Sequence, residues 1–350
     1  MESLSQASML LQWSPTPGAR SIHSVLRVVV LVVLTSHHTV AHLQLGRVRH
    51  QAVTTFEGHG RSCPELHIVS RPRPWSDMKV LMYWAVAFDP KVVDLVVANV
   101  DHLQAKGLQF DVLLGHYDMK RESWVQRNES WYRQNVRWGV SASGFKVHLL
   151  QTIHAQRLAP GLKLLDYDWL WLLDEDVDLT NLQPPRFFKD LAASEALIAS
   201  PAFTQKIRSK TGFESPYYPM NTPQPGMLFR YVPMIEVIMP IMRPQVLTEL
   251  FDCGDNLAPM NSDWGIDHIW CSFSARRLFH DRYKTCAVLD RSGPVVHKNY
   301  GSTRKSGRMS TFRAEGNEAV MWLKSKFMED YQSNHFHSLV SWEGYESVPV

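Results

Sequence analysis

Between Tyr167 and Thr180 the chain reads YDWLWLLDEDVDLT. Five apolar residues, Trp169 to Leu173, run without a break into Asp174, Glu175, Asp176 and Asp178. A continuous apolar run bounded by polar residues suits a strand buried on both faces of a parallel sheet. Such a strand needs helices on both sides, so this one segment already points to an α/β chain. In sheets of that kind ligands bind beyond the carboxyl ends of the strands, and that is where the acids begin. Carboxylates crowded together repel, and at neutral pH they need a cation or basic neighbours. Hard divalent ions such as Mg²⁺ or Mn²⁺ prefer oxygen ligands and bind one or two carboxylates together with phosphates. Asp174 and Asp176 form an Asp-x-Asp pair, and in an extended chain their side chains share one face. An acidic turn after a strand is also what a solvated loop looks like, so the reading depends on what lies further along.

The surrounding pattern agrees with the α/β reading. MKVLMYWAVAF (78–88) and LQFDVLLGHYD (108–118) read as buried strands. Between them KVVDLVVANVDHLQAKG (91–107) carries apolar residues at helical spacing and stops at Gly107. A helix is expected over 145–158, another over 184–194 with prolines at its start, and a strand over 196–203. Residues 204–230 show no period and suit a lid or binding loop. Further helices are expected over 243–254, 261–278 and near 317–327, with short strands at 285–290 and 294–299. The expected architecture is a mainly parallel central sheet flanked by helices, in a single domain over 77–330.

Val25 to Leu34 is apolar apart from Arg27 and is much shorter than the ~20 residues of a spanning helix. It matches the core of a secretory signal, so residues 1–41 are read as a signal peptide or short anchor. A buried strand is the other reading. The signal would place the protein in the secretory pathway, in the Golgi or ER lumen, or outside the cell, with membrane association through the N-terminus alone. Residues 42–76 read as a linker or stem and 331–350 as a tail. Cys63, Cys253, Cys271 and Cys286 allow two disulfides or four buried thiols, and no CxxC pair suggests zinc. Asn128-Glu129-Ser130 is a glycosylation acceptor triplet. Thirty-seven basic residues against thirty-four acidic ones leave a net charge of +3, too little to suggest nucleic acid as a partner.

Two later segments accompany the acids. In NSDWGIDHIW (261–270), Asn261, Ser262 or Asp263 can cap a helix. Asp263 and Asp267 would lie four apart on its first turn, where the helix dipole would keep both ionised. A carboxylate at a site edge can serve as a general base. In GPVVHKNYGSTRKSGR (293–308), His297 ends a β-branched run, and its imidazole could complete a metal site with the carboxylates. Lys298, Arg304, Lys305 and Arg308 follow on a Gly- and Ser-spaced loop suited to a diphosphate.

The order of DED at 174–176, WGID at 264–267 and VVH at 295–297 resembles the GT-A class of nucleotide-sugar glycosyltransferases. A closer resemblance is to a family described as a domain of unknown function and grouped by fold with glycosyltransferases. It is carried by LGHYD (114–118), YDWLWLLDEDVDL (167–179), IEVIMPIM (235–242), DWGIDHIWC (263–271) and VLDRSGPVVH (288–297). It covers about residues 78–303, and departs at SGFKVHLL (143–150), which keeps only Lys146 of that family's Gln-Thr-Lys-Trp-Trp-like stretch. The resemblance implies a GT-A-like fold, Mn²⁺ or Mg²⁺ as cofactor, a nucleotide-sugar donor and a glycan or glycoconjugate acceptor. It implies Asp176 and His297 as metal ligands, with Asp174 assisting the ion or contacting the donor. Asp267 would be the base, giving inversion at the sugar carbon, and Glu236 would face the acceptor. Asp118, Lys146, Glu175 and Lys298 would lie on the donor side.

Two alternatives stand beside this. A haloacid-dehalogenase-like phosphatase also runs an apolar strand into Asp-x-Asp, with the first Asp as nucleophile. Its motif normally continues differently at the fifth position, which is Asp178 here, and it usually opens its domain. A noncatalytic carbohydrate-binding relative would use some of the twelve Trp and eleven Tyr to stack on sugars without metal or nucleotide.

Overall fold

A computed structural model of the chain describes residues 74–205, 221–253, 263–293, 295–298, 300, 317, 318, 320–325 and 327. The signal or anchor segment, most of the linker, the loop of Arg304, Lys305 and Arg308, and the tail lie outside the described residues.

The first strand, β1 (Val80–Val86), is buried along its whole length. Asp89 caps α1 (Pro90–Ala105) by accepting the N–H of Lys91 at 2.9 Å, with Pro90 at the first helical position. Strands β2 (Phe110–His116) and β4 (Trp169–Asp174) flank β1, both parallel to it. In this register Val86 lies opposite His116 and Ala85 opposite Asp174, so the three strand ends form one edge. Residues 121–141, for which the sequence pattern gives no element, form α2 (Arg121–Arg127), α3 (Glu129–Asn135) and β3 (Val136–Ser141), the last parallel to β2. The helix α4 (Lys146–Ala155) then leads to β4.

Strand β4 shows why the opening segment must be apolar. Trp169, Trp171 and Leu173 face one core and Leu170 and Leu172 the other, all at most 1% exposed. On the first face Trp171 stacks on Phe187 of α5 (Pro184–Ser194) at 4.8 Å between ring centres. Beyond β4 the chain forms the short β5 (Val177–Asp178), then β6 (Ile198–Pro201), β7 (Phe203–Gln205) and β8 (Phe229–Tyr231). The expected strand over 196–203 is thus split between β6 and β7. Strand β9 (Ile241–Met242) inserts antiparallel between β4 and β6, and β10 (Cys286–Leu289) runs parallel to β6. The large sheet has the order β3-β2-β1-β4-β9-β6-β10-β8. The last strand, β11 (Val295–His297), forms a small second sheet with β5 and β7. The molecule is therefore α/β with a large, mostly parallel sheet between helices, as expected.

Two expected helices are shorter than the pattern suggests. Over 243–254 the chain forms α6 (Pro244–Thr248) and then a single π-helical turn. Over 261–278 the described part is a 3₁₀ turn, Ile266–His268, followed by α7 (Trp270–Arg277). Gly265 is the reason for the second break. Its φ of +90° is left-handed, and a Cβ there would meet Val320 at 2.7 Å. Cys271 and Cys286 form a disulfide that joins α7 to β10. Residues 317, 318 and 320–325 are helical, as the pattern predicts. Among the described residues no helix is long and apolar enough to cross a membrane.

Candidate metal and acid site

The site is built at the carboxyl edge of β1, β2 and β4. Asp174 is the last residue of β4, and its N–H donates to the carbonyl of Ile238 at 2.8 Å. The chain then turns, so Asp174 and Asp176 converge through a tight turn and not through the pleat of an extended strand. Strand β5 leaves this turn and pairs antiparallel with β11, setting His297 opposite Val177. That pairing brings His297 Nε2 to 3.0 Å from Asp176 Oδ1, across 121 residues of sequence. The N–H of Tyr300 donates to Asp176 Oδ2 at 3.0 Å, and the N–H of Lys298 to the Asp176 carbonyl at 2.8 Å. One ligand atom each from Asp174, Asp176 and His297 lie within 4.8 Å of one another. Two carboxylate oxygens and an imidazole suit Mn²⁺ or Mg²⁺, the nitrogen favouring Mn²⁺. The other ring nitrogen of His297, Nδ1, is buried and has no hydrogen-bond partner among the described residues.

Electrostatics separates these groups. Burial would raise Asp176, but the His297 hydrogen bond, the imidazole charge and the Tyr300 N–H outweigh it and leave the carboxyl below its ordinary value. Burial lowers His297, yet its bond to Asp176 and the two nearby carboxylates raise it overall. Asp174 is raised by burial, with the Lys146 charge opposing.

Lys146 opens α4, is 6% exposed, and approaches Asp174 Oδ1 at 2.5 Å. Its ammonium also donates to the carbonyls of Val237 and Ile238. Asp263 does not cap a helix of its own. It accepts the N–H of Val147 at 2.7 Å and of His148 at 3.3 Å, and meets His148 Nδ1 at 2.7 Å, so it caps α4 from across the fold. Asp267 lies in the 3₁₀ turn, where burial pushes its carboxyl up. The expectation that one helix start holds Asp263 and Asp267 ionised together is therefore corrected: the turn at Gly265 separates them.

Asp267 is hydrogen-bonded to Glu236, and each is 9% exposed. Burial, the Asp267 charge and Asp174 push Glu236 up to about 8. Two bonded carboxyls share a proton between them, and burial favours the neutral form of both.

The other residues singled out from the sequence surround this centre and are tied into its frame. Glu175 accepts the N–H of Ala87 at 2.6 Å and the Tyr117 hydroxyl at 2.9 Å, joining the ends of β1 and β2 to the turn. Asp118 accepts the N–H groups of Phe88 at 2.7 Å and Lys120 at 3.0 Å. Lys298 pairs with Asp178 at 2.7 Å. Sequence reasoning missed Asn99. It is fully buried on α1, donates to the Val177 carbonyl and accepts the Leu179 N–H, both at 2.7 Å, and so braces the acid turn. An amide inside the Val92, Val93, Val96, Val100 and Leu103 stripe is the signal that could have found it.

The sequence matches no family model and no curated protein. Several solved structures are similar at low identity. A mycobacterial protein shares 10% identity over 73% of this chain and 76% of its own, at a TM-score of 0.41. S. aureus TarS 1-349 shares 11% over 75% and 72%, at 0.40. Glucosyl-3-phosphoglycerate synthase from Mycobacterium tuberculosis, in complex with Mg²⁺ and uridine-diphosphate, shares 14% over 72% and 80%, at 0.39. Similarity at this level carries no argument about the activity of this chain.

Proposed function

We propose that the protein is a metal-dependent glycosyltransferase that moves a sugar from a nucleotide-sugar donor to an acceptor hydroxyl. The observation that carries this reading is the convergence of Asp174, Asp176 and His297 at the carboxyl edge of the parallel strands, with the Glu236–Asp267 pair beside them. The order of DED, WGID and VVH along the chain agrees with it. Asp174, Asp176 and His297 would hold Mn²⁺ or Mg²⁺, which supplies Lewis-acid stabilisation to a leaving diphosphate. Asp267 is the base of this reading. The acceptor oxygen attacks the sugar carbon, the bond from that carbon to the diphosphate breaks, and the nucleoside diphosphate leaves with the electron pair. The acceptor proton passes to the Asp267 carboxylate, and the sugar carbon inverts. Glu236 keeps Asp267 oriented through their shared proton. Asp118, Glu175 and Lys298 shape the donor side, where Lys298 is exposed and paired with Asp178. The secretory location goes with the N-terminal signal reading and is supported by the Cys271–Cys286 disulfide.

The test is thermal unfolding of the full chain with a panel of nucleotides and nucleotide-sugars, with and without Mn²⁺. A ligand that binds only the folded state raises the melting point, by about 2.7 kcal/mol of stability at a hundred times its Kd. A rise with one nucleotide that needs Mn²⁺ and vanishes in Asp176→Ala is expected. A well-folded protein with no response across the panel would transfer the assignment to a noncatalytic carbohydrate-binding relative. Turnover of p-nitrophenyl phosphate would favour the phosphatase.

A further inference from the structure

Lys146 sits where two halves of the site meet. One half is the acid turn after β4, and the other is the segment 236–239, which carries Glu236. The ammonium is buried, at 6% exposed, and its acceptors are the Asp174 carboxylate at 2.5 Å, the Val237 carbonyl, and the Ile238 carbonyl at 2.9 Å. An ammonium has three N–H donors and no acceptor, so its capacity is filled inside the protein. The backbone around it is equally fixed. Lys146 is the first residue of α4, and Asp263 binds the next two N–H groups. The Ile238 carbonyl also accepts the Asp174 N–H, so charge and backbone lock the turn at 237–239 to the end of β4.

We propose that Lys146 is a resident cation of the acid cluster, a positioning residue that neutralises Asp174 when no divalent ion is bound and fixes the Glu236 segment against β4. This rests on the reading that Asp174, Asp176 and His297 take such an ion. It changes the part the motif resemblance gives Lys146, because no N–H remains for a donor diphosphate. The Asp174 side chain is 34% exposed, and the physical reason is the cost of leaving this partly buried carboxylate unpaired beside the buried Asp176. With Lys146 present, Asp174 has its own counter-charge and Asp176 has His297, so the fold needs no metal. Without Lys146, a bound ion becomes the counter-charge for Asp174, and stability becomes metal-dependent.

The experiment compares melting of the full chain and of Lys146→Met in chelator and in Mn²⁺. The variant should melt several degrees below wild type in chelator, and Mn²⁺ should return most of that loss while moving wild type less. An equal loss in both conditions overturns the proposal and leaves Lys146 a plain structural pin. Unchanged melting in chelator also overturns it. If Lys146→Met does not fold, the double variant Lys146→Met/Asp174→Asn decides. It should fold without metal, because the charge that needed compensation is gone, and its failure to fold overturns the proposal. Rescue of Lys146→Met by Mn²⁺, with wild type ignoring every nucleotide, would uphold this inference while the transferase reading falls. Metal-dependent nucleotide binding by wild type, with an equal loss in the variant, would do the reverse.

Discussion

Asp176 and Glu236 are equally buried, each 9% exposed, and lie in the same site, yet their carboxyls behave oppositely. Burial favours the neutral form of both. For Asp176, His297 and the Tyr300 N–H overcome that tendency and hold the carboxyl below its ordinary value. For Glu236 the named neighbours are acids, Asp267 and Asp174, which reinforce burial and push it up to about 8. Two unit charges 4 Å apart interact by about 4 kcal/mol at the effective dielectric near a protein surface. A partner of either sign is therefore enough to decide the outcome. The chain tolerates acid in one half of the site with counter-cations and in the other with a proton. That division suits the proposed chemistry: ionised oxygens face a metal, and a shared proton orients the base.

The most direct way to break this contrast is Glu236→Gln. Glu236 has a folded value above its unfolded one, so its contribution to stability is complete below the ordinary carboxylate range and is lost as pH rises to about 8. The loss is at most about 1.4 kcal/mol per pH unit for one proton. The glutamine amide can donate to Asp267 as the protonated carboxyl does, and it has no proton to lose in this range. Urea unfolding from pH 5 to 9 should therefore show a smaller alkaline decline in the variant. His297, whose value is also raised, keeps its own part of that decline. Asp176 has the opposite sign, and its contribution is lost as pH falls through its depressed value. That acid flank should be the same in both proteins. An undiminished alkaline decline in Glu236→Gln would place the shared proton elsewhere.

The second prediction sharpens the contrast through the scaffold. The ion-paired half is held by strand pairing, β5 with β11. The proton-sharing half stands on a 3₁₀ turn whose following helix is tied to β10 by Cys271–Cys286. A disulfide closing a loop of about 15 residues contributes roughly 3 kcal/mol. Cys271→Ser should lose about that much in chemical denaturation. It should also let the Glu236 titration drift toward the ordinary range in carboxyl NMR, because Asp267 is four residues from Cys271. Asp176 should not move. A shift of both carboxyls together would mean that the two halves share one support.

Much of this was legible in the sequence because burial writes itself as apolar pattern. Trp169 to Leu173, the Val-rich stripe of α1 and the Pro184-Pro185 helix start each fix an element by their own residues. Asp174, Asp176 and His297 were legible through their placement at strand ends, and the strand pairing brings them together. What the pattern did not show depends on contacts far apart in sequence. Asp263 looks like a cap for the helix that follows it, but it caps α4, more than a hundred residues earlier, because Gly265 takes the left-handed turn. Gly115 and Gly139 admit neighbouring side chains so closely that a Cβ would collide with Leu149 or Tyr132, which no local period records. The direction of a pKa is hidden for the same reason, since Glu236 and Asp176 differ only in what the fold sets beside them.

The smallest expected effect tests whether nearness of charge or burial gives the ion pairs their weight. Arg133 and Glu129 sit four apart on α3 with an N–O distance of 2.5 Å, as close as Lys146 and Asp174. Their side chains are 76% and 56% exposed, against 6% for Lys146 and 34% for Asp174. Water and salt screen the exposed pair, and ordering two long side chains opposes it, so such pairs contribute about 0.3–0.5 kcal/mol. Arg133→Ala should change urea stability by less than about 0.5 kcal/mol, and less still at high salt. The Lys146–Asp174 pair should respond less to salt, because the buried ammonium is screened less than an exposed one. If Arg133→Ala cost as much as a buried pair, proximity alone would account for the stability of the acid turn. The dry strand that carries Asp174 into the site would then not be the reason its partner matters.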